Sequence, residues 1–178
     1  MESLEEGLVF GGADHSEDGL TALLQVLKCD YEREEGINWS DASFNMIFYI
    51  SDATVKVIGD GVPARFITKN DGQCHMAKEE HGNNTEWKYT MAKQMDIPSI
   101  GQILNEIRER EAAVIFAVTP KNRPFYQPFA NEINLIGGKA AYASIDKESS
   151  NIAKIRIQNI IINIVAMYTV HKLQWPRL

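Results

Sequence analysis

Two short apolar runs constrain this chain more than any other feature. They are Phe44-Asn45-Met46-Ile47-Phe48-Tyr49-Ile50 and Ala113-Val114-Ile115-Phe116-Ala117-Val118, neither broken by Pro or Gly. Runs of this length, rich in β-branched and aromatic residues, read as strands buried on both faces. Such strands need helices packed against them. Leu20, Leu23, Leu24 and Leu27 lie at helical spacing, with acidic residues near the helix start where the macrodipole favours them. Ile100, Ile103, Leu104 and Ile107 form a second stripe, for which Asp96 reads as the N-cap and Pro98 as a first-turn residue. A weaker helix is expected over 125–135, with Pro124 near its start and Pro128 reducing its regularity. Residues 8–10 read as the end of a strand, Ala140-Ala141-Tyr142-Ala143 as a short strand, and Ser149 or Ser150 as the cap of a last helix. Residues 59–93 read as irregular, punctuated by Gly59, Gly61, Pro63 and Asp71-Gly72. Strands alternating with helices predict an α/β fold with a mostly parallel sheet.

Composition narrows the class. With 178 residues the chain is one domain, or little more. A net charge of −6 argues against a general nucleic-acid binder. Two cysteines are too few for a disulfide scaffold, and no stretch is long and apolar enough for an ordinary membrane span. Met1-Glu2-Ser3-Leu4-Glu5-Glu6 lacks the basic region and apolar core of a signal peptide. As written, the chain is expected to stay in the cytosol, where Cys29 and Cys74 would be reduced. Residues 1–36 carry ten carboxylates against Lys28 and Arg33. That front end is either a solvated face or a site for a hard cation, which wants several oxygen ligands.

Sites in parallel sheets form beyond the carboxyl ends of the strands. Asp52 follows the first run, and the loop carrying Asp14 and Glu17 falls at a similar place. The three carboxylates are therefore candidates for one cation of the magnesium or calcium kind. The alternative is that Asp14 and Glu17 only cap the next helix. His15, His75, His81 and His171 show no metal-ligand spacing.

Four segments, in order, resemble a known family. Asn70-Asp71-Gly72-Gln73-Cys74-His75 is similar to a motif of the integrin β-subunit I-like domain, a Rossmann-like, von Willebrand factor A-type fold. Asp96-Ile97-Pro98-Ser99-Ile100-Gly101-Gln102, Ile115-Phe116-Ala117-Val118-Thr119 and Ser149-Ser150-Asn151 agree with it in spacing. The resemblance covers residues 9–155, with diverged segments over 1–8 and 156–178. It implies a metal-ion-dependent adhesion site that binds Mg²⁺ or Mn²⁺ and is completed by an acidic ligand side chain. Glu17 and Asp52 match ligands of that site, and Asp14 matches the aspartate of a neighbouring Ca²⁺ site. Gly12 stands where that Ca²⁺ site usually has Asn, and Ser16 where a residue lends its backbone carbonyl. Ile145 lies near the position that lends a carbonyl to a second Ca²⁺ site. The resemblance also implies a Cys29–Cys74 disulfide and, in a secreted setting, glycosylation at Asn38 and Asn83.

Departures from the family carry information too. The Asp-x-Ser-x-Ser motif of its central strand does not occur in this chain, nor does its small disulfide-bonded specificity loop. Val62 and Pro63 follow Asp60-Gly61 where the family has Lys or Arg, which argues against docking to an integrin α subunit. Residues 157–170 are Ile-rich but too short and amide-rich for a membrane span, and no transmembrane helix follows them. The resemblance implies a cell-surface adhesion receptor module, not an enzyme, facing the outside of the plasma membrane and binding matrix or cell-surface proteins. Two other readings remain open. One is a truncated product with little activity of its own. The other is a Mg²⁺-dependent α/β hydrolase, against which stand the absence of a nucleophile–base pair and of a phosphate-binding glycine loop.

Overall fold

The computed structural model describes residues 16–29, 45–64, 68–81, 84–92 and 94–145. The expected strand at 8–10 and the expected last helix lie outside them. In chain order the elements are β1 (Ser16–Glu17), α1 (Gly19–Lys28), β2 (Met46–Ser51), β3 (Thr54–Val55), β4 (Met76–His81), β5 (Asn84–Tyr89), α2 (Ile100–Glu109), β6 (Ala113–Val118), α3 (Arg123–Leu135) and β7 (Lys139–Ser144).

The main sheet is parallel, in the order β2-β6-β7. Met46 faces Ala113 and Ser51 faces Val118 in the first ladder; Ala113 faces Lys139 and Val118 faces Ser144 in the second. All six residues of β6 are buried, as expected of a central strand paired on both edges. Among the described residues β2 is an edge of this sheet, and its Phe48 and Ile50 are exposed. The α/β class and the parallel pairing agree with the sequence reading.

One core joins the helices to the sheet. Leu20, Leu23, Leu24 and Leu27 of α1, Ile103 and Ile107 of α2, and Tyr126, Phe129 and Ile133 of α3 meet Val114, Phe116 and Val118 of β6. The 3.6-residue stripe of each helix and the period-2 alternation of β6 aim these side chains at one layer. Tyr49 of β2 sits among them, its ring centroid 5.6 Å from that of Phe116 and 5.3 Å from that of Tyr126. Gly19 is required there: a Cβ at this position would stand 1.7 Å from the Tyr49 hydroxyl oxygen.

The structure corrects three readings. The N-cap of α2 is Ser99, not Asp96. Ser99 Oγ accepts from the Gln102 amide at 3.2 Å while Gln102 Oε1 accepts from the Ser99 amide at 2.8 Å, a reciprocal capping box. Pro98 therefore precedes the cap. The Asp96 carboxylate is buried and accepts instead from the amides of Gly59, at 2.7 Å, and Gly61, at 3.0 Å, pinning a loop more than thirty residues upstream. At α1 the cap is Asp18, whose Oδ1 accepts from the Thr21 amide at 3.1 Å; the first turn itself holds no acidic residue. Finally, residues 59–93 are not irregular throughout. β4 and β5 form an antiparallel hairpin with Met76 facing Tyr89 and His81 facing Asn84. Its strands are polar, so no apolar alternation marked them. Cross-strand contacts hold it instead, including Lys78 Nζ 5.4 Å from the centre of the Trp87 ring and Lys88 Nζ 3.0 Å from Glu79 Oε1. α3 does run through Pro128, as expected, from a start with Pro in its first two positions.

In the loop leading into the hairpin, the Asp71 carboxylate is held by its neighbours. Partial burial pushes the Asp71 carboxyl up, but the Gln73 amide, at 2.9 Å, and the His75 ring, also at 2.9 Å, outweigh it and hold the group below the usual aspartate range. A carboxyl depressed in the folded state adds stability above its unfolded pKa, and that stability is lost as pH falls through the folded value. We expect Asp71→Asn to flatten the acid limb of the stability curve below about pH 4, because it forfeits at neutral pH the stability that the ionised carboxyl supplies. Acid titration of the unfolding midpoint measures this, and superimposable limbs would contradict the assignment.

Candidate metal-binding edge

Because β2, β6 and β7 are parallel, their carboxyl ends share one edge. Asp52 follows β2, Thr119 follows β6 and Ile145 follows β7 on that edge. A short parallel ladder brings a further segment beside Asp52. Ser16 faces Thr54 and Glu17 faces Val55, and the Lys56 amide donates to the Glu17 carbonyl at 3.0 Å. Glu17 thus lies alongside the chain just after Asp52. Both side chains are exposed, and neither carboxylate has a hydrogen-bond or ion-pair partner among the described residues.

The turn carrying Asp52 is tightly determined. Ser51 Oγ accepts from the Ala53 amide at 3.2 Å, a side-chain-closed turn that ends the strand. Tyr49, two residues before it, donates to or accepts from the Tyr126 hydroxyl at 2.8 Å. Burial pushes the Tyr49 hydroxyl pKa up; the bond to Tyr126 opposes this, and the nearby negative charge of Asp18 and Glu17 adds to it. Burial likewise drives Tyr126 far above the ordinary tyrosine range. Both hydroxyls therefore stay neutral under any physiological condition and act as a fixed hydrogen-bonded pair beneath the edge.

The remaining sequence candidates fall out as follows. The Ser16 backbone lies in the β1 ladder beside Thr54. Ile145 is buried, and its amide donates to the Val118 carbonyl at 3.0 Å. Gly12, Asp14, Asn38 and Asn83 lie outside the described residues. Among the described residues no three His, Cys, Asp or Glu side chains converge on one point. The donor set nevertheless suits a hard cation in kind, since Glu17 and Asp52 offer oxygen donors with unused lone pairs. Sequence reasoning missed Thr119 and Asn122, which hold the Asp52 turn. Their polar character at the end of a buried strand is a signal, but their partners are far away in the chain.

Cys29 and Cys74 are joined by a disulfide, with Cα atoms 4.8 Å apart. It ties the end of α1 to the segment entering the hairpin. Gln25, one turn earlier, reinforces the same junction: its Nε2 donates to the Gln73 carbonyl at 3.0 Å and its Oε1 accepts from the His75 amide at 2.7 Å.

Comparison with known proteins places this architecture. Residues 1–165 match the family model described as the integrin beta chain VWA domain. The chain is 32% identical to integrin beta-1-B of Xenopus laevis over 151 residues, which is 85% of this chain and 17% of that protein. It is 32% identical to integrin beta pat-3 of Caenorhabditis elegans over 130 residues, 73% of this chain and 15% of that protein. To integrin beta-PS of Drosophila melanogaster it is 28% identical over 152 residues, 85% of this chain and 16% of that protein. The chain thus spans less than a fifth of the length of these curated relatives. With nearly all of its length inside the family match, and with the α/β layer and the paired cysteines in place, the chain belongs to the integrin β family through its von Willebrand factor A-type domain.

Proposed function

We propose that this chain acts as a divalent-cation-dependent adhesion module. Glu17 and Asp52 hold Mg²⁺ or Mn²⁺ at the sheet edge, and an acidic side chain of a matrix or cell-surface protein completes the coordination. The observation that carries this reading is the β1–β3 ladder, which sets one exposed carboxylate beside the turn that presents the other. The cation supplies a positive centre that a ligand carboxylate can bind directly. Asp14, with the carbonyls of Gly12 and Ser16, serves an adjacent Ca²⁺, and the Ile145 carbonyl a second one. The proposed role is binding: among the described residues no activated nucleophile stands beside the two carboxylates.

The family implies a cell-surface location and, in general, pairing with an integrin α subunit, against which Val62 stands in this chain. Val62 is more than half exposed in the 3-10 turn Val62–Ala64, so any α subunit meets an apolar residue there. No described helix is long and apolar enough to cross a membrane.

Magnesium seeks a near-octahedral oxygen set, and two carboxylates leave most positions to water. Binding to this chain is therefore expected at about millimolar affinity. Mn²⁺ titration, read as paramagnetic broadening of the Ser51, Asp52 and Ala53 amide signals, tests it. Asp52→Ala and Glu17→Ala should each remove the selective broadening. Its survival in both variants would show that the cation sits elsewhere.

One observation favours a second reading, a module that does not bind cation by itself. Phe48 and Ile50 on the β2 edge are 40% and 54% exposed, which is costly for strand residues. Gradual, non-cooperative urea unfolding would support it, and a single cooperative transition would not.

A further inference from the structure

We propose that Asn122 and Thr119 are positioning residues for the candidate cation site, acting through the Asp52 turn. The inference rests on the Glu17–Asp52 reading above and deepens it.

Thr119 and Asn122 are both buried, at 7% and 4% exposure, although each is polar. Both spend their donors on the turn that carries Asp52. Thr119 Oγ1 donates to the Asp52 carbonyl at 3.2 Å. Asn122 Nδ2 lies 3.2 Å from the same carbonyl, 2.7 Å from the Ala53 carbonyl and 3.1 Å from Thr119 Oγ1. The Thr119 amide closes the group by donating to the Ser51 carbonyl at 3.4 Å. Three consecutive carbonyls, from Ser51 to Ala53, are therefore held by a two-residue cluster 67 to 70 positions away.

The cluster satisfies the carbonyls of the turn, but not every atom of its own. Asn122 Oδ1 is buried with no hydrogen-bond partner among the described residues, an unfavourable arrangement for folding. Nor does Asn122 cap α3: it occupies the N-cap position without a side-chain cap bond. Turning the amide over would not help, because Oδ1 would then face two carbonyl oxygens. An apolar residue of similar volume would remove the orphan acceptor but would also take the amide donor away from the Asp52 and Ala53 carbonyls. What only the amide supplies is a donor that fixes the Asp52 peptide, and with it the origin of the Asp52 side chain. Groups that orient a metal ligand from behind commonly govern affinity this strongly.

The arrangement also makes a mechanical link. Asn122 is the residue before α3, and Thr119 is the residue after β6. The turn therefore cannot shift without the start of α3 shifting with it.

The test is Mn²⁺ titration of the full chain, read from amide broadening at Ser51, Asp52 and Ala53, alongside thermal unfolding without metal. Asn122→Leu removes the donor and the orphan acceptor together while keeping most of the volume. It should weaken Mn²⁺ roughly ten-fold; because it also takes a donor from the Asp52 and Ala53 carbonyls, the metal-free melting temperature is measured with it and the Thr119 variants serve as the check. Thr119→Val should weaken binding in the same direction, and Thr119→Ser, which restores the hydroxyl, should recover it. Asp52→Ala is the control for the site itself. If Asp52→Ala abolishes selective broadening while Asn122→Leu and Thr119→Val bind as the parent does, the positioning role is refuted and the site stands. If Asp52→Ala changes nothing, the site reading fails, and this inference with it. Should Asn122→Leu not fold, the Thr119→Val and Thr119→Ser pair decides the question alone.

Discussion

Replacing Cys29 and Cys74 together by alanine should lower the unfolding free energy by about 4 kcal/mol on the chain-entropy account. The bond closes a long loop, the two cysteines being 45 positions apart. Removing it frees the unfolded chain far more than the folded one. The folded junction has other support, since Gln25 bonds both Gln73 and His75 across the same gap. We therefore expect the domain to fold without the disulfide, with a lower urea midpoint, rather than to lose its structure. Both cysteines must change, because a single substitution leaves a reactive thiol. Denaturant melts of the parent under oxidising and reducing conditions give an independent measure. A reductant that leaves the midpoint where it was would show that the cross-link contributes nothing.

Phe116→Ala should cost about 3–5 kcal/mol, in the range for a fully buried aromatic truncated in place. Phe116 is wholly buried on β6, the strand paired on both edges. Its ring meets those of Tyr49, Tyr126 and Phe129, the last two at centroid distances of 5.3 and 5.2 Å. These come from β2 and α3, which are anchored by their own pairings and cannot collapse inward. The cavity therefore stays, and the cost of the lost contacts is added to that of transfer. Phe116→Leu keeps most of the volume and should cost only about 1 kcal/mol. Urea unfolding of both variants distinguishes a packing effect from global disruption. A loss below about 1 kcal/mol for the alanine variant would mean that the site collapses after all. The same aromatic layer supports the hydroxyl pair of Tyr49 and Tyr126 under the proposed cation site, so on that proposal Phe116→Ala should also weaken Mn²⁺ binding.

Much of the architecture is local information. Residues 113–118 read as a buried strand because the run is short, apolar, unbroken and carries Val, Ile and Phe. The leucine stripe of α1 and the isoleucine stripe of α2 follow from a 3.6-residue period, and both appear where the spacing put them. Parallel pairing follows from the alternation of such elements. The disulfide was legible only through resemblance; by themselves the two cysteines read as reduced thiols, which the structure overturns. Of the proposed metal ligands, Asp52 was legible as a carboxylate at a strand end.

Tertiary structure decided the rest, and in each case a long-range partner is the reason. Asp96 has the chemistry of an N-cap, as Ser99 does. Which one caps α2 depends on Gly59 and Gly61, whose amides take the Asp96 carboxylate away. The hairpin of β4 and β5 is held by contacts between polar strands, so neither strand carries an apolar pattern of its own. Gly19 is required because the Tyr49 hydroxyl approaches it from another element. Asn122 and Thr119 read as ordinary polar residues after a strand. Only folding carries them to the Asp52 turn, where burial turns two common side chains into fixed donors. Periodicity records which face of an element is buried; it does not record which distant backbone carbonyl will meet a particular amide, because that pairing exists only once the layers have packed.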